Sequence, residues 1–186
     1  MQKTSRNIRA LCEGAICVAM AMVLSFFEAN PIWVQGGSID LVMIPLILFA
    51  VRWGASWGVG AGLVFGTLKY FVGAGFAVDW VSIIFDYTVA YAMVGLAGLF
   101  KNKDKQVWLA AIVGGVARFI VHYISGVTVY AKWMPEEFMG LPMGSPFIYS
   151  ALYNGGYMLP CTILAAAICV ALMKPMKSFL RGDDLR

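Results

Sequence analysis

Charge is scarce in this chain. Of its 186 residues 13% are charged and 61% are apolar, with a mean hydropathy of +0.78. Soluble domains carry roughly 25% charged residues, so half that share excludes a water-solvated globule and makes lipid the solvent. Histidine is scarcer still: His122 stands alone, which argues against metal catalysis. The four cysteines (Cys12, Cys17, Cys161, Cys169) form no C-x-x-C pair and read as small apolar residues of membrane helices. There is no G-x-x-x-x-G-K-[ST] loop, so the chain does not hydrolyse ATP by itself. Neither H-E-x-x-H nor G-x-S-x-G occurs, and although Ser125 follows His122, no further group is visible to orient a nucleophile–base pair. These absences make any enzyme reading weak, and the expectation is a non-enzymatic membrane protein with no cofactor.

What is present is a series of long apolar runs containing Gly and Pro, which membrane helices tolerate. A helix needs about 20 apolar residues to cross the hydrocarbon. Six candidates emerge, at about 9–27, 38–52, 55–73, 80–100, 107–130 and 147–173. The second is short and ends at Arg52-Trp53-Gly54. The expected fold is an all-α membrane protein of six transmembrane helices, one domain filling residues 1–186.

The 14 Lys and Arg residues set the orientation. With the N-terminus inside, the cytoplasmic segments hold Lys3, Arg6, Arg9, Arg52, Lys101, Lys103, Lys105, Lys174, Lys177, Arg181 and Arg186, and the outer loops hold Lys132 alone. This is the positive-inside pattern, with both termini cytoplasmic. The net charge of +4 therefore tracks membrane sidedness and not nucleic acid. A cleaved signal peptide over 1–27 is disfavoured, because Glu13 interrupts the run, no small-x-small site follows, and losing the span would invert the charge pattern.

Four polar residues lie within the apolar runs. Counted from the outer surface, Asp86 lies roughly 9 Å down, His122 roughly 12 Å, and Tyr149 and Asn154 roughly 3 and 10 Å. Ionisable groups at such depths usually face a bundle interior and mark a functional site. Arg118 shares a helical face with His122, and Lys69-Tyr70-Phe71 ends the third helix near the same surface. An acid, an imidazole, an amide and several rings suit a small, flat, cationic heteroaromatic ligand. The competing reading is that Asp86 pairs with Lys69 or Arg118 as a strut and that His122 bonds a backbone carbonyl. In the outer loops, Trp33 and Trp133 either close the site or belong to the interfacial aromatic belt. In the first helix Ala15 and Ala19, with Gly14 beside them, form a small-xxx-small pattern that serves internal packing or a partner helix.

Several short motifs, in order along nearly the whole length, share one likeness. They are Gln35-Gly36-Gly37-Ser38 leading to Met43-Ile44-Pro45, then Arg52-Trp53-Gly54, then Asp86-Tyr87 followed by Gly95-x-x-Gly98. They continue through His122-x-x-Ser125-Gly126 and Tyr149-Ser150-x-x-Tyr153-Asn154. With these the chain resembles the thiamine-specific S components of energy-coupling factor (ECF) transporters, six-helix vitamin-binding proteins of the bacterial cell membrane. The resemblance implies that thiamine is captured from the outer side, with the first outer loop as a lid, and delivered inward in complex with a transmembrane coupling protein and two ATPases. It implies that Asp86 meets the aminopyrimidine and the thiazolium charge, and that His122, Tyr149 and Asn154 hydrogen-bond the pyrimidine. Tyr87, Trp33 and Tyr130 match further residues at the ligand, and Trp133 is an additional stacking candidate. Ala15 and Ala19 match the docking surface for the coupling protein. Some members of that family have Glu where this chain has Asp86. The rival readings are an S component for riboflavin or hydroxymethylpyrimidine, and a small membrane enzyme or structural bundle.

Overall fold

A computed structural model describes residues 3–29, 36–73 and 75–185. Its long helices follow the apolar runs: α1 (Lys3–Leu24), α2 (Met43–Trp53), α3 (Ala55–Val72), α4 (Trp80–Phe100), α5 (Val107–Thr128) and α6 (Pro146–Met173), with a short α7 (Lys177–Arg181) in the tail. Four segments are long and apolar enough to cross a membrane, Thr4–Leu24, Trp80–Phe100, Asp104–Thr128 and Pro146–Met173. The expected short second span is an apolar helix of 11 residues. It is buried along its whole length, while Leu11, Ile16, Phe71, Leu159 and Ile163 on other helices stand exposed. Large apolar side chains facing outward in such numbers belong to a surface solvated by lipid.

Local chemistry sets the helix ends. Asp79 caps α4 by accepting from the Ser82 N–H at 2.8 Å, and the Ser82 hydroxyl oxygen accepts from the Asp79 N–H at 3.1 Å, a reciprocal capping box. Pro146 opens α6, where its missing N–H costs nothing, and Pro160 sits within the same helix without ending it. Between α5 and α6 the chain makes a two-residue hairpin, Glu137–Phe138 against Leu141–Pro142. Met139 and Gly140 at its tip both have positive φ, as a tight hairpin turn requires.

Helices α3 and α4 touch backbone to backbone. A Cβ at Gly62 would lie 2.1 Å from the Tyr91 carbonyl oxygen, and one at Gly66 2.2 Å from that of Tyr87. Only hydrogen fits at these two positions, and the contact presses the Asp86–Tyr91 stretch of α4 into the bundle. That stretch is unusual in itself. Residues Ile83–Val89 are π-helical, with the Ala90 N–H reaching back five residues to Phe85. Such turns are rare, occur often at functional sites, and here re-aim Asp86 and Tyr87 relative to a regular helix.

At the end of the bundle that holds the C-terminal tail, Glu13 interrupts the apolar face of α1 for a reason the sequence hides. Arg52, fully buried, donates through Nε to Glu13 Oε2 at 2.6 Å and through Nη1 and Nη2 to Asp184, both at 2.9 Å. Trp53 Nε1 also donates to Glu13, at 2.8 Å, and Arg9 contacts both acids. The tail, through Leu180 and Leu185, is thereby folded onto α1 and α2. Arg52 holds the Asp184 carboxyl well below the usual carboxylate range.

Candidate functional site

At the opposite end, the C-terminal part of α3, the π-helical start of α4, the end of α5 and the start of α6 enclose a cavity of about 240 Å³. This lies just under the roughly 300–1,000 Å³ of ordinary small-molecule sites, a size that suits a small molecule. Six residues singled out from the sequence line it: Asp86, Tyr87, His122, Tyr130, Tyr149 and Asn154. Helical rise puts four of them, Asp86, His122, Tyr149 and Asn154, in one layer on three helices, Tyr87 and Tyr130 enter through the family resemblance, and the tertiary fold brings all six to one space.

The polar groups form a connected chain. Tyr91 Oη accepts from Arg118 Nη2 at 2.9 Å, Arg118 Nε donates to His122 Nε2 at 3.3 Å, and His122 Nδ1 faces Asp86 Oδ1 at 3.2 Å. Asp86 therefore pairs with neither Lys69 nor Arg118. Lys69 instead bridges Glu28 at 3.0 Å and Asp40 at 3.5 Å. On α6, Asn154 donates from Nδ2 to the His122 carbonyl at 3.2 Å and to Ser150 O and Oγ at 3.1 Å, and its Oδ1 accepts from Tyr157 at 2.8 Å. The His122 ring and the Asn154 amide are thus largely engaged within the protein, which fixes α5 against α6. Asp86 Oδ2 and Arg118 Nη1 are buried without a hydrogen-bond partner among the described residues. Aromatic rings complete the walls: Tyr149, Tyr153 and Tyr157 follow one another up α6 with centroids 5.5 and 6.2 Å apart. Tyr87 is tied to the Phe76 carbonyl at 3.0 Å.

The model of the thiamine transporter protein family (Thia_YuaJ) matches residues 11–180. This chain belongs to that family. Among curated relatives, the thiamine transporter ThiT of Bacillus subtilis is 33% identical, the match covering 96% of this chain and 97% of that one. ThiT of Lacticaseibacillus paracasei is 26% identical over 90% of this chain and 88% of its own length. A solved structure of ThiT from Listeria monocytogenes superposes with a TM-score of 0.82 at 27% identity, covering 94% of this chain and 98% of that one. Membership makes the chain a multi-pass bacterial membrane protein of a transporter family and not an enzyme.

The aromatic candidates in the loops fare differently. Trp33 falls outside the described residues. Trp133 does not line the cavity: it sits on a 3-10 turn (Ala131–Trp133), half exposed, with Lys132 Nζ 5.8 Å from its ring centroid. Ala15 and Ala19 line a second space, an apolar groove of about 770 Å³ between α1 and α3, with Gly14, Val64 and Leu68 among its walls.

Several residues of the cavity wall lie outside the set of candidates that the sequence suggests. Arg118 and Lys69 were visible as intramembrane cations, and their place in the lining was the missing step. Tyr91 lies five residues beyond Asp86, a spacing that points the same way only when the helix is locally π-like. In the sequence Glu28 opens the first outer loop. An antiparallel bridge between Ala29 and Ile39 brings it beside Ser38, whose hydroxyl donates to it at 3.0 Å, and into the cavity wall.

Proposed function

We propose that this chain is a thiamine-binding S component, a single substrate-binding domain that captures the vitamin from the outer side of the membrane. In this reading it spans six times with both termini inside. It delivers thiamine with a transmembrane coupling protein and two ATPases. The observation that carries the ligand assignment is an acid of the cavity wall that has no basic partner. Of the charged side chains in its wall, Lys69 pairs with Glu28 at 3.0 Å and also reaches Asp40 behind the wall at 3.5 Å, whereas Asp86 has no Lys or Arg partner and keeps Oδ2 buried without a hydrogen-bond partner among the described residues. That carboxylate is the partner the cavity offers to a permanently monocationic thiazolium. A neutral vitamin leaves that charge buried and uncompensated, at a cost of several kcal/mol.

The roles follow from the surroundings. Asp86 meets the positive charge and the amino group. Tyr87, Tyr130 and Tyr149 supply ring faces and hydroxyls. Asn154 and His122 hold the pyrimidine side of the pocket in shape. Partner docking falls to the α1 groove around Ala15 and Ala19, where small side chains let another helix approach closely.

Titrating the detergent-solubilised protein with thiamine should quench tryptophan fluorescence saturably, and riboflavin should not. Quenching by riboflavin without a response to thiamine would keep the family and overturn the ligand.

A further inference from the structure

A guanidinium in a pocket built for a cation looks misplaced, and its geometry gives the reason. We infer that Arg118 is a positioning residue that holds His122 as the neutral Nδ1–H tautomer, so that Asp86 keeps its full negative charge for a cationic ligand. The inference rests on the thiamine reading for its ligand and on side-chain geometry for its mechanism.

Arginine has five N–H donors, no acceptor, and does not lose its charge in proteins. Its Nε lies 3.3 Å from His122 Nε2. A hydrogen bond there requires a lone pair on Nε2, which puts the ring proton on Nδ1, pointed at Asp86 Oδ1 3.2 Å away. An imidazolium would instead set N–H against N–H and place two positive charges side by side. Arg118 is in turn held from the far side, with Nη2 on the Tyr91 hydroxyl at 2.9 Å and Cζ 4.1 Å from the Tyr91 ring centroid. It is 4% exposed.

The other groups facing His122 do not compete for its nitrogens. From α6, Tyr157 meets the ring edge-on at 6.0 Å, its hydroxyl given to Asn154, and Asn154 bonds the His122 backbone carbonyl. From α4 come Asp86 and Tyr91. Asp40, ahead of α2, is a further carboxylate at this end of the bundle, and it pairs with Lys69. Without Arg118, a proton on Nε2 would make a His122–Asp86 ion pair and cancel the charge that draws the ligand. A cation beside the histidine thus raises affinity for a cation beside the aspartate.

His122 is the single histidine of the chain, so ring-15N labelling of untagged protein reports on it alone. The wild type should show one protonated and one lone-pair nitrogen from about pH 5.5 to 8, the range in which an unrestrained imidazole titrates. Arg118→Met should become doubly protonated toward the acid end, and its thiamine affinity should fall there by roughly tenfold to a hundredfold, the worth of a charged hydrogen bond. Arg118→Lys, which returns the charge, should restore a neutral ring and part of the affinity. A doubly protonated or Nε2–H ring in the wild type would overturn the assignment whether or not the methionine variant folds, as would an unchanged spectrum in that variant. Absence of thiamine binding by a wild type whose spectrum is as expected would instead overturn the thiamine reading and leave the tautomer supported.

Discussion

Replacing Arg52 with methionine should lower stability by about 3 kcal/mol, because it orphans a buried carboxylate. The guanidinium is fully buried and holds two acids at 2.6–3.0 Å, as well as the Phe179 carbonyl at 2.8 Å. Its two acid partners differ. Asp184 is 44% exposed and regains water when Arg52 is lost, so it adds little. Glu13 is 19% exposed and keeps only Arg9 and the Trp53 N–H. Removing one partner of a buried pair costs about 3–5 kcal/mol, and the partial compensation at Glu13 puts this case at the low end. At about 2–4 °C per kcal/mol for a chain of this size, the midpoint of thermal unfolding in detergent should drop by roughly 6–12 °C. Adding Glu13→Leu should recover most of that loss, since the cost lies in the uncompensated acid and not in the missing cation. Thiamine binding well below the new midpoint should persist, because the cavity lies at the other end of the bundle. A midpoint within about 2 °C of wild type, or a double variant no more stable than Arg52→Met, would refute the reasoning.

Four further outcomes can be checked. Asp86→Asn preserves shape and an acceptor for His122, so its effect is Coulombic: with a ligand cation about 5 Å away and an effective dielectric of about 20, roughly 3 kcal/mol or a hundredfold in thiamine affinity is lost by titration. Gly66→Ala places a methyl 2.2 Å from the Tyr87 carbonyl oxygen. It should push α4 outward, cost about 1–3 kcal/mol in thermal unfolding and weaken ligand binding together. Asp184 is held below its usual range by Arg52, so its contribution is present above about pH 4 and is lost as pH falls below that, toward its folded-state value. Asp184→Asn should therefore lose less stability than wild type across that acid window in an unfolding series. Tryptophan at both Ala15 and Ala19 should abolish thiamine uptake by cells while leaving binding by purified protein within about twofold, since the α1 groove is separate from the cavity.

How far the site was legible follows from what each residue depends on. Asp86, His122, Tyr149 and Asn154 could be found because ionisable and amide groups are costly in hydrocarbon and stand out within apolar runs. Their common depth follows from a rise of about 1.5 Å per residue. Lys69 and Arg118 stood out for the same reason, but which acid each would face was not readable. A strut between Asp86 and either cation is equally compatible with the spacing, and the fold chose His122 for Asp86 and Glu28 with Asp40 for Lys69. Glu28 itself was hidden, because its approach to the cavity depends on the bridge between Ala29 and Ile39 across a loop. The π-helical turn at Ile83–Val89 leaves no mark in composition, so the facing of Tyr91 could not be derived.

The sequence by itself determined the solvent, the helical class and the approximate course of the helices. Each of these follows from transfer free energy and helical rise, which are local and additive along the chain. Only the tertiary structure decided the pairings: which acid faces which cation, which side chains meet the two ring nitrogens of His122, and why Glu13 is tolerated in α1. Those depend on separations of a few ångströms between residues tens to more than a hundred positions apart. Coulomb and hydrogen-bond energies change steeply over such distances, whereas hydropathy does not register them at all.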